Sequence, residues 1–404
     1  MFDTDRIKRD FPIFSNSELD PLVYLDNAAT TQKPVAVLKA VNDYYENYNA
    51  NIHRALYRLG EKATTEYERV RESVRLFLNV PASHSIIFTR GTTESINLIA
   101  YAWGRKNLKP GDEILITEME HHSNLVPWQL VTRDTGAILK YIPITTDGCL
   151  DFSNLDSLFS TKTKLVSVVH QSNVFGTINP VAEILERAKN AGAVTCIDGA
   201  QSVPHYRLDL SGLGSDFYAF SGHKMLGPTG VGVLVAKSSI LEAMDPFLAG
   251  GEMIDTVTMK ASTWNAVPWK FEAGTPNIAQ VIGLGAAIKY LESVGMESIQ
   301  NHDQQLTQYA LESLSANKDI QLFGHSEARG PVILFNVDGV HSYDLAKFLD
   351  QEGICIRAGH HCAQPVMQKL GLTAAARASF YLYNTTNDID KLCAGIEKTA
   401  LLFK

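Results

Sequence analysis

The sequence predicts an α/β protein with a mainly parallel sheet and a smaller α+β lobe behind it. Three observations carry that prediction. Between about residues 85 and 235, short β-branched runs alternate with longer amphipathic stretches, the pattern of strands joined by helical crossovers. Several runs (Leu165 to Val169, Val194 to Ile197, Val231 to Val235) are apolar without alternation, as strands are when helices cover both faces of a parallel sheet. Polar residues gather where the runs stop: Arg90 to Thr93, Glu120 to His122, His170 to Asn173, Asp198 to Gln201 and Ser221 to Lys224. Open α/β sheets hold ligands at those carboxyl ends.

Taken in order, SIIFTR is followed by the helical stretch TESINLIAYAWG, EILITEM by SNLVPWQLVTRD, KLVSVVHQSN by VAEILERAKNAG, and VTCID by a loop and DFYAFS. The period breaks over WNAVPWKFEAGTPNIAQVIG, residues 264–283. A helix over Ala279 to Glu292 follows, then strands in PVILFNV, ICIRAGH and ASFYLY, with helices over Ser342 to Gln351 and Ile389 to Phe403. The expected division is an N-terminal segment 1–20 packing with the small domain, a large domain 21–283, and a small domain 284–404.

Composition excludes several functions. The 404 residues are 45% hydrophobic and 20% charged, within the range of chains that fold. Net charge is −8 without a basic block, which argues against a nucleic-acid partner. No stretch reaches the ~18 apolar residues of a membrane span, and the opening MFDTDRIKRDFPIF has no apolar leader core. A cytoplasmic location without membrane attachment is expected. The five cysteines are odd in number, scattered and free of CxxC spacing, which indicates neither a disulfide framework nor a metal site.

Lys224 is the most informative residue. It stands in SGHKMLGPTG between an apolar strand and a glycine-rich turn, where partial desolvation lowers an ammonium's pKa and frees the amine as a nucleophile. A solvated surface lysine is the ordinary alternative. A phosphate-cradling nucleotide loop is disfavoured, because its lysine follows the glycines whereas Lys224 precedes them. Asp198 ends the apolar run VTCID, where a carboxylate needs a cation or strong donors unless it only caps the turn at Gly199. An amine and an acid at two strand tips together suit pyridoxal phosphate, which needs a lysine for its aldehyde and an acid for its ring nitrogen. Gly91, Thr92 and Thr93 at a helix N-terminus, with Ser221 and His223, could hold the phosphate, although a threonine there can equally be a plain cap.

Of Glu120-His121-His122, one histidine suits stacking on a ring, since adjacent histidines diverge and lack metal-ligand spacing. Cys362 lies in RAGHHCAQP on an expected mobile loop, where His360 and His361 could favour the thiolate. Cys196 and Cys355 lie in apolar runs and read as inert. Zinc on His360, His361 and Cys362 is disfavoured because three consecutive residues do not readily close one tetrahedron. Arg377 would offer a planar fork to a carboxylate, or serve as a structural ion-pair partner.

These residues resemble the class V aminotransferase group of fold-type I pyridoxal-phosphate enzymes, specifically the SufS-type cysteine desulfurases. The resemblance runs through YLDNAATTQKP, NIHRALYRLG, RGTTESINL, MEHHSNLVPWQ, HQSNVFGTINP, IDGAQSV, FSGHKMLGPTGVG, FEAGTPN, RAGHHCAQP and RASFYLYN, in family order. It implies a large cofactor domain with a mainly parallel seven-stranded sheet and a small α+β domain carrying the nucleophilic cysteine. It implies that Lys224 carries pyridoxal 5'-phosphate, Asp198 pairs with its ring nitrogen, Gln201 with its ring hydroxyl, and His121 stacks on the ring. Thr93, Ser221 and His223 match phosphate contacts, and Thr275 matches one supplied across a homodimer interface. Asn173, Arg357 and Arg377 match substrate contacts, with Arg377 on the carboxylate. His53 and Arg54 match an active-site segment without an assigned role, and His122 has none.

Cys362 matches the residue that takes sulfur from L-cysteine as a persulfide, leaving L-alanine, for delivery toward iron–sulfur cluster assembly. Selenocysteine lyase or cysteine sulfinate desulfinase is the alternative on the same scaffold. Relatives that deliver to a zinc-containing SufU-type acceptor carry an HPHD-like segment, whereas this chain reads His341-Ser342-Tyr343-Asp344. A SufE-type acceptor is therefore expected.

Overall fold

The computed structural model describes residues 2–403; residues 1 and 404, the outer limits of the expected segments, lie outside them. The central sheet has seven strands: β1 (His84–Thr89), β2 (Glu113–Thr117), β3 (Ile138–Ile142), β4 (Thr163–Val169), β5 (Val194–Asp198), β6 (Phe217–Ser221) and β7 (Gly232–Lys237). Their spatial order is β1-β7-β6-β5-β4-β2-β3. All neighbours are parallel except β7, which runs antiparallel to both β1 and β6.

Alternate residues of the buried strands feed two different cores, as a pleat covered on both sides requires. Val166, Ile197, Tyr218 and Val235 face a core closed by the helices Val35–Asn47, Arg58–Phe77 and Ile278–Val294. Leu165, Cys196, Phe217 and Leu234 face the other, closed by the helical run from Thr92 and by Val126–Thr135. Strand β3 is absent from the sequence expectation. It is one of the two sheet edges, its residues Ile138 and Tyr141 are exposed, and it therefore lacks the all-apolar signature that marks its neighbours.

A second sheet holds β8 (Ile320–Phe323), β9 (Val332–Val337), β10 (Arg357–Gly359) and β11 (Ala375–Ser379) in the antiparallel order β8-β9-β11-β10. The helices Met296–Ser315, Ser342–Gln351 and Thr386–Phe403 pack on it. Strand β11 stops at Ser379, so the expected strand ASFYLY ends early; Phe380 to Tyr383 continue as a buried turn.

The expected boundary at 283/284 falls inside the helix Ile278–Val294, which is sealed against the large lobe. The exchange of cores comes one helix later. Met296 and Ile299 still belong to the large core, whereas Leu306, Ala310 and Leu314 of the same helix belong to the small one. The N-terminal segment does not pack on the small lobe alone. Phe11 sits edge-on to Tyr290 and Tyr383, centroids 5.9 and 4.8 Å away, and Lys8 pairs with Asp388 at 3.7 Å. It closes the seam between lobes, while Val23 and Leu25 cross into the small core. No helix among the described residues is long and apolar enough to cross a membrane.

Candidate active site

The carboxyl ends of β1, β2, β4, β5 and β6 converge on one cavity of about 270 Å³. It is lined from the large lobe by Thr92, Thr93, His121, Asn173, Asp198, Gln201, Ser221, His223 and Lys224, and from the small lobe by Arg357, His361, Cys362 and Arg377. Eleven of the twelve nominated site residues therefore meet there, with Thr275 the exception.

Asp198 is the last residue of β5, and Lys224 follows β6 on the turn Gly222–Lys224. Register across β5 and β6 pairs Asp198 with Ala219, which brings the two strand tips side by side. Only glycine fits after Asp198: a Cβ on Gly199 would lie 2.1 Å from the Tyr218 ring. Burial pulls the Lys224 ammonium down to about 8, while Asp198 acts against that fall. Burial pushes the Asp198 carboxyl up, opposed by the Ala200 N–H that donates to it at 2.9 Å and by Lys224.

His121 follows β2, on a turn braced by buried Glu120. The Glu120 carboxyl accepts from Thr117 Oγ1 at 2.7 Å, Asn124 Nδ2 at 2.6 Å and the Val169 N–H at 2.9 Å; burial raises it to about 8. His121 Nδ1 accepts the Ser123 N–H at 3.1 Å, which leaves the ring proton on Nε2. Burial and the neighbouring Lys224 pull its pKa down to about 3, so the ring is neutral. The protein itself fixes the plane of that ring.

Thr92 opens a helix whose first N–H donates to Ser221 Oγ at 2.9 Å, and Thr92 Oγ1 lies 2.8 Å from that same atom. Thr93 Oγ1 is 2.7 Å from Ser123 Oγ. Hydroxyls and helix N–H groups at one end of a cavity form an anion cradle. Close backbone approach makes it: a Cβ on Gly232 would lie 2.3 Å from Gly91 Cα. Gln201 donates Nε2 to Ala28 O at 2.7 Å, which fixes its amide at the cavity wall.

Arg357 and Arg377 are directly opposed across β10 and β11. Like charges facing one another destabilise a sheet unless an anion intervenes. Asp26 supplies it, at 2.6 Å from Arg357 Nη2 and 3.2 Å from Arg377 Nη2. Arg377 also donates Nη1 to Asn173 O at 2.8 Å, and its buried Nε has no partner. Asn173 Oδ1 and both amide atoms of Gln171 are likewise buried and unpaired beside the cavity. Asp26 and Gln171 join the site beyond the sequence expectation. Two arginines in strand-like segments of one small lobe are the available signal for Asp26; nothing marks Gln171 apart from its place after β4.

Cys362 is exposed, and it and His361 have left-handed backbone, φ 55° and 53°. Cys196 is buried, with its thiol pushed up to about 12, and burial also raises half-buried Cys355. Thr275 lies outside the cavity and lines a separate cleft of about 210 Å³ with Arg54 and Glu252. His53 is also remote, held by Glu68 at 3.0 Å and Glu252 at 3.1 Å. Among the described residues, no group of three or more His, Cys, Asp or Glu side chains is placed to hold a metal ion.

The fold and this donor set define a lysine-and-aspartate cofactor enzyme, and residues 23–392 match the family model of aminotransferase class V. The chain belongs to that family. A probable cysteine desulfurase of Halalkalibacterium halodurans is 53% identical, covering 98% of both chains. A cysteine desulfurase of Haloferax volcanii is 46% identical over 99% of this chain and 98% of its own. Among solved structures, the cysteine desulfurase CsdA from Escherichia coli superposes with a TM-score of 0.92 at 39% identity over the whole of both chains. A cysteine desulfurase from Thermococcus onnurineus gives 0.93 at 38% identity, covering 98% of this chain and 97% of its own.

Pyridoxal phosphate is the cofactor of this family, and the residues present fit it. A buried amine of lowered pKa, a buried acid beside it, a neutral oriented imidazole and a hydroxyl-lined helix N-terminus share one cavity. Lys224 titration should be visible in cofactor uptake. With the amine near 8, the rate at which apoprotein takes up added pyridoxal phosphate should rise about tenfold per pH unit below that value and level off above it. Stopped-flow absorbance measures this; a rate still climbing toward about 10.4, as for an unperturbed lysine, contradicts the burial argument.

Proposed function

We propose that this chain is a cysteine desulfurase that moves the sulfur of L-cysteine onto Cys362 and releases L-alanine. The observation carrying this reading is that one cavity joins Lys224, Asp198 and His121 of the large lobe to Cys362 and Arg377 of the small lobe. Bound there, pyridoxal phosphate supplies a sink for the electron pair left when the Cα proton departs. Asp198 would keep the ring nitrogen protonated, and neutral His121 would cover the ring face. Thr93, Ser221 and His223 hold the phosphate. Arg377, with its free Nε, grips the substrate carboxylate; Asn173 and Arg357 flank it.

Lys224, in its neutral form, would remove the substrate Cα proton. The Cys362 thiolate attacks the substrate sulfur, an S–S bond forms as the Cβ–S bond breaks, and the carbon fragment takes up protons to become alanine. The balance is L-cysteine plus a protein thiol giving L-alanine plus a protein persulfide. Incubation with L-cysteine, with alanine assayed and Cys362 examined by mass spectrometry, tests it. One added sulfur on Cys362 with alanine is expected; neither product from cofactor-loaded protein overturns it.

A homodimer completes the site in this reading, the partner placing its Thr275 on the phosphate. Exposed Leu56, Tyr57, Leu59 and Trp264 support such an interface. Mixing Lys224→Ala and Thr275→Ala protein should then restore about a quarter of the wild-type sites, because half of the dimers are mixed and each carries one intact pair. Activity of the mixture no greater than the mean of its parents contradicts a shared site.

The persulfide passes to an acceptor for iron–sulfur cluster assembly. A SufE-type partner is preferred: Tyr343, where the SufU-linked pattern has histidine, is half exposed and stacks on His341 with centroids 5.4 Å apart. Five free cysteines support work in a reducing cytoplasm.

A further inference from the structure

Cys362 is held from outside by a single residue. The His122 N–H donates to Cys362 O at 2.7 Å, and His122 Nε2 accepts the Gln364 N–H at 3.1 Å. These two bonds bracket the left-handed pair His361 and Cys362, a backbone state that residues with side chains resist unless their surroundings impose it. On the inner side, Asn173 Nδ2 donates to His361 O at 2.7 Å, and His361 Nε2 donates to Ala375 O at 3.0 Å.

We propose that His122 is a positioning residue for the sulfur-transfer step, clamping the Cys362 loop so that its thiol meets the substrate held beside Lys224. The proposal rests on Cys362 being the sulfur carrier and adds what keeps it in place. Two consecutive residues serve different ends: His121 lines the cavity, and His122 reaches across to the small lobe. The clamp needs an unprotonated Nε2, and burial together with nearby His360 pulls the His122 pKa down. Loss of the Nε2 acceptor releases the Gln364 end of the loop, leaves the main-chain bond to Cys362 O in place, and touches no group that binds the cofactor.

The test uses holoenzyme carrying His122→Phe, which keeps a ring and removes the acceptor, and His122→Gln, which restores an acceptor at similar reach. Single-turnover reactions with L-cysteine are quenched, and sulfur on Cys362 is counted by mass spectrometry. Expected for His122→Phe are cofactor absorbance and KM within about twofold of wild type, persulfide formation slowed about tenfold, and faster hydrogen exchange at the Gln364 amide. His122→Gln should recover most of the rate and the protection. Wild-type persulfide kinetics in His122→Phe, or no recovery in His122→Gln, overturns the positioning role. Absence of sulfur on Cys362 in the unsubstituted enzyme removes the carrier assignment itself, and this proposal with it.

Discussion

In Cys362→Ala, alanine formation from L-cysteine should fall by about 10³-fold or more while cofactor absorbance stays unchanged. The thiol sits on a surface loop at the cavity mouth, so its removal leaves both lobes packed as before. In the proposed mechanism what disappears is the nucleophile for the substrate sulfur, and nucleophiles dominate such kinetics. Selenocysteine should still be cleaved, since a selenium leaving group needs less assistance. That contrast separates sulfur-specific nucleophilic chemistry from the lyase or desulfinase alternative. Undiminished turnover of L-cysteine in this variant defeats the persulfide mechanism.

The second large effect belongs to Lys224→Ala. The protein should lose its borohydride-sensitive visible absorbance and at least about 10⁴-fold of its activity, because in the proposed mechanism one side chain both carries the cofactor and moves the Cα proton. The fold should tolerate the change, since a buried amine gives way to a small apolar group that needs no hydrogen-bond partner. Far-UV circular dichroism checks that part. An unaltered visible spectrum in this variant would remove the assignment of the amine to the aldehyde.

Much of this architecture is legible in the sequence. The buried strands announce themselves because helices on both faces demand unbroken apolar runs, and the polar residues closing those runs form the cavity wall. Strand β3 is silent because its side chains Ile138 and Tyr141 are exposed, so no unbroken apolar run marks it. The expected lobe boundary is misplaced because a break in hydrophobic period is not a break in packing: Gly283 and Leu284 continue one helix against the large core. Asp26 stands in the motif YLDNAATTQKP with no role that the motif alone reveals. Its meaning depends on β10 and β11 setting Arg357 opposite Arg377, a register that no local pattern encodes. The His122–Gln364 hydrogen bond is hidden likewise, since it joins residues far apart in the chain.

The helix Met296–Ser315 gives its first turns to one core and its later turns to the other. Severing the halves would mean snapping a continuous rod, so the two should melt together in a single calorimetric transition rather than in sequence. A protease cutting surface loops should likewise leave no freestanding half. The amine and the thiol are thus bolted to one chassis, and any slack in the sulfur delivery proposed above is confined to the few residues around Cys362.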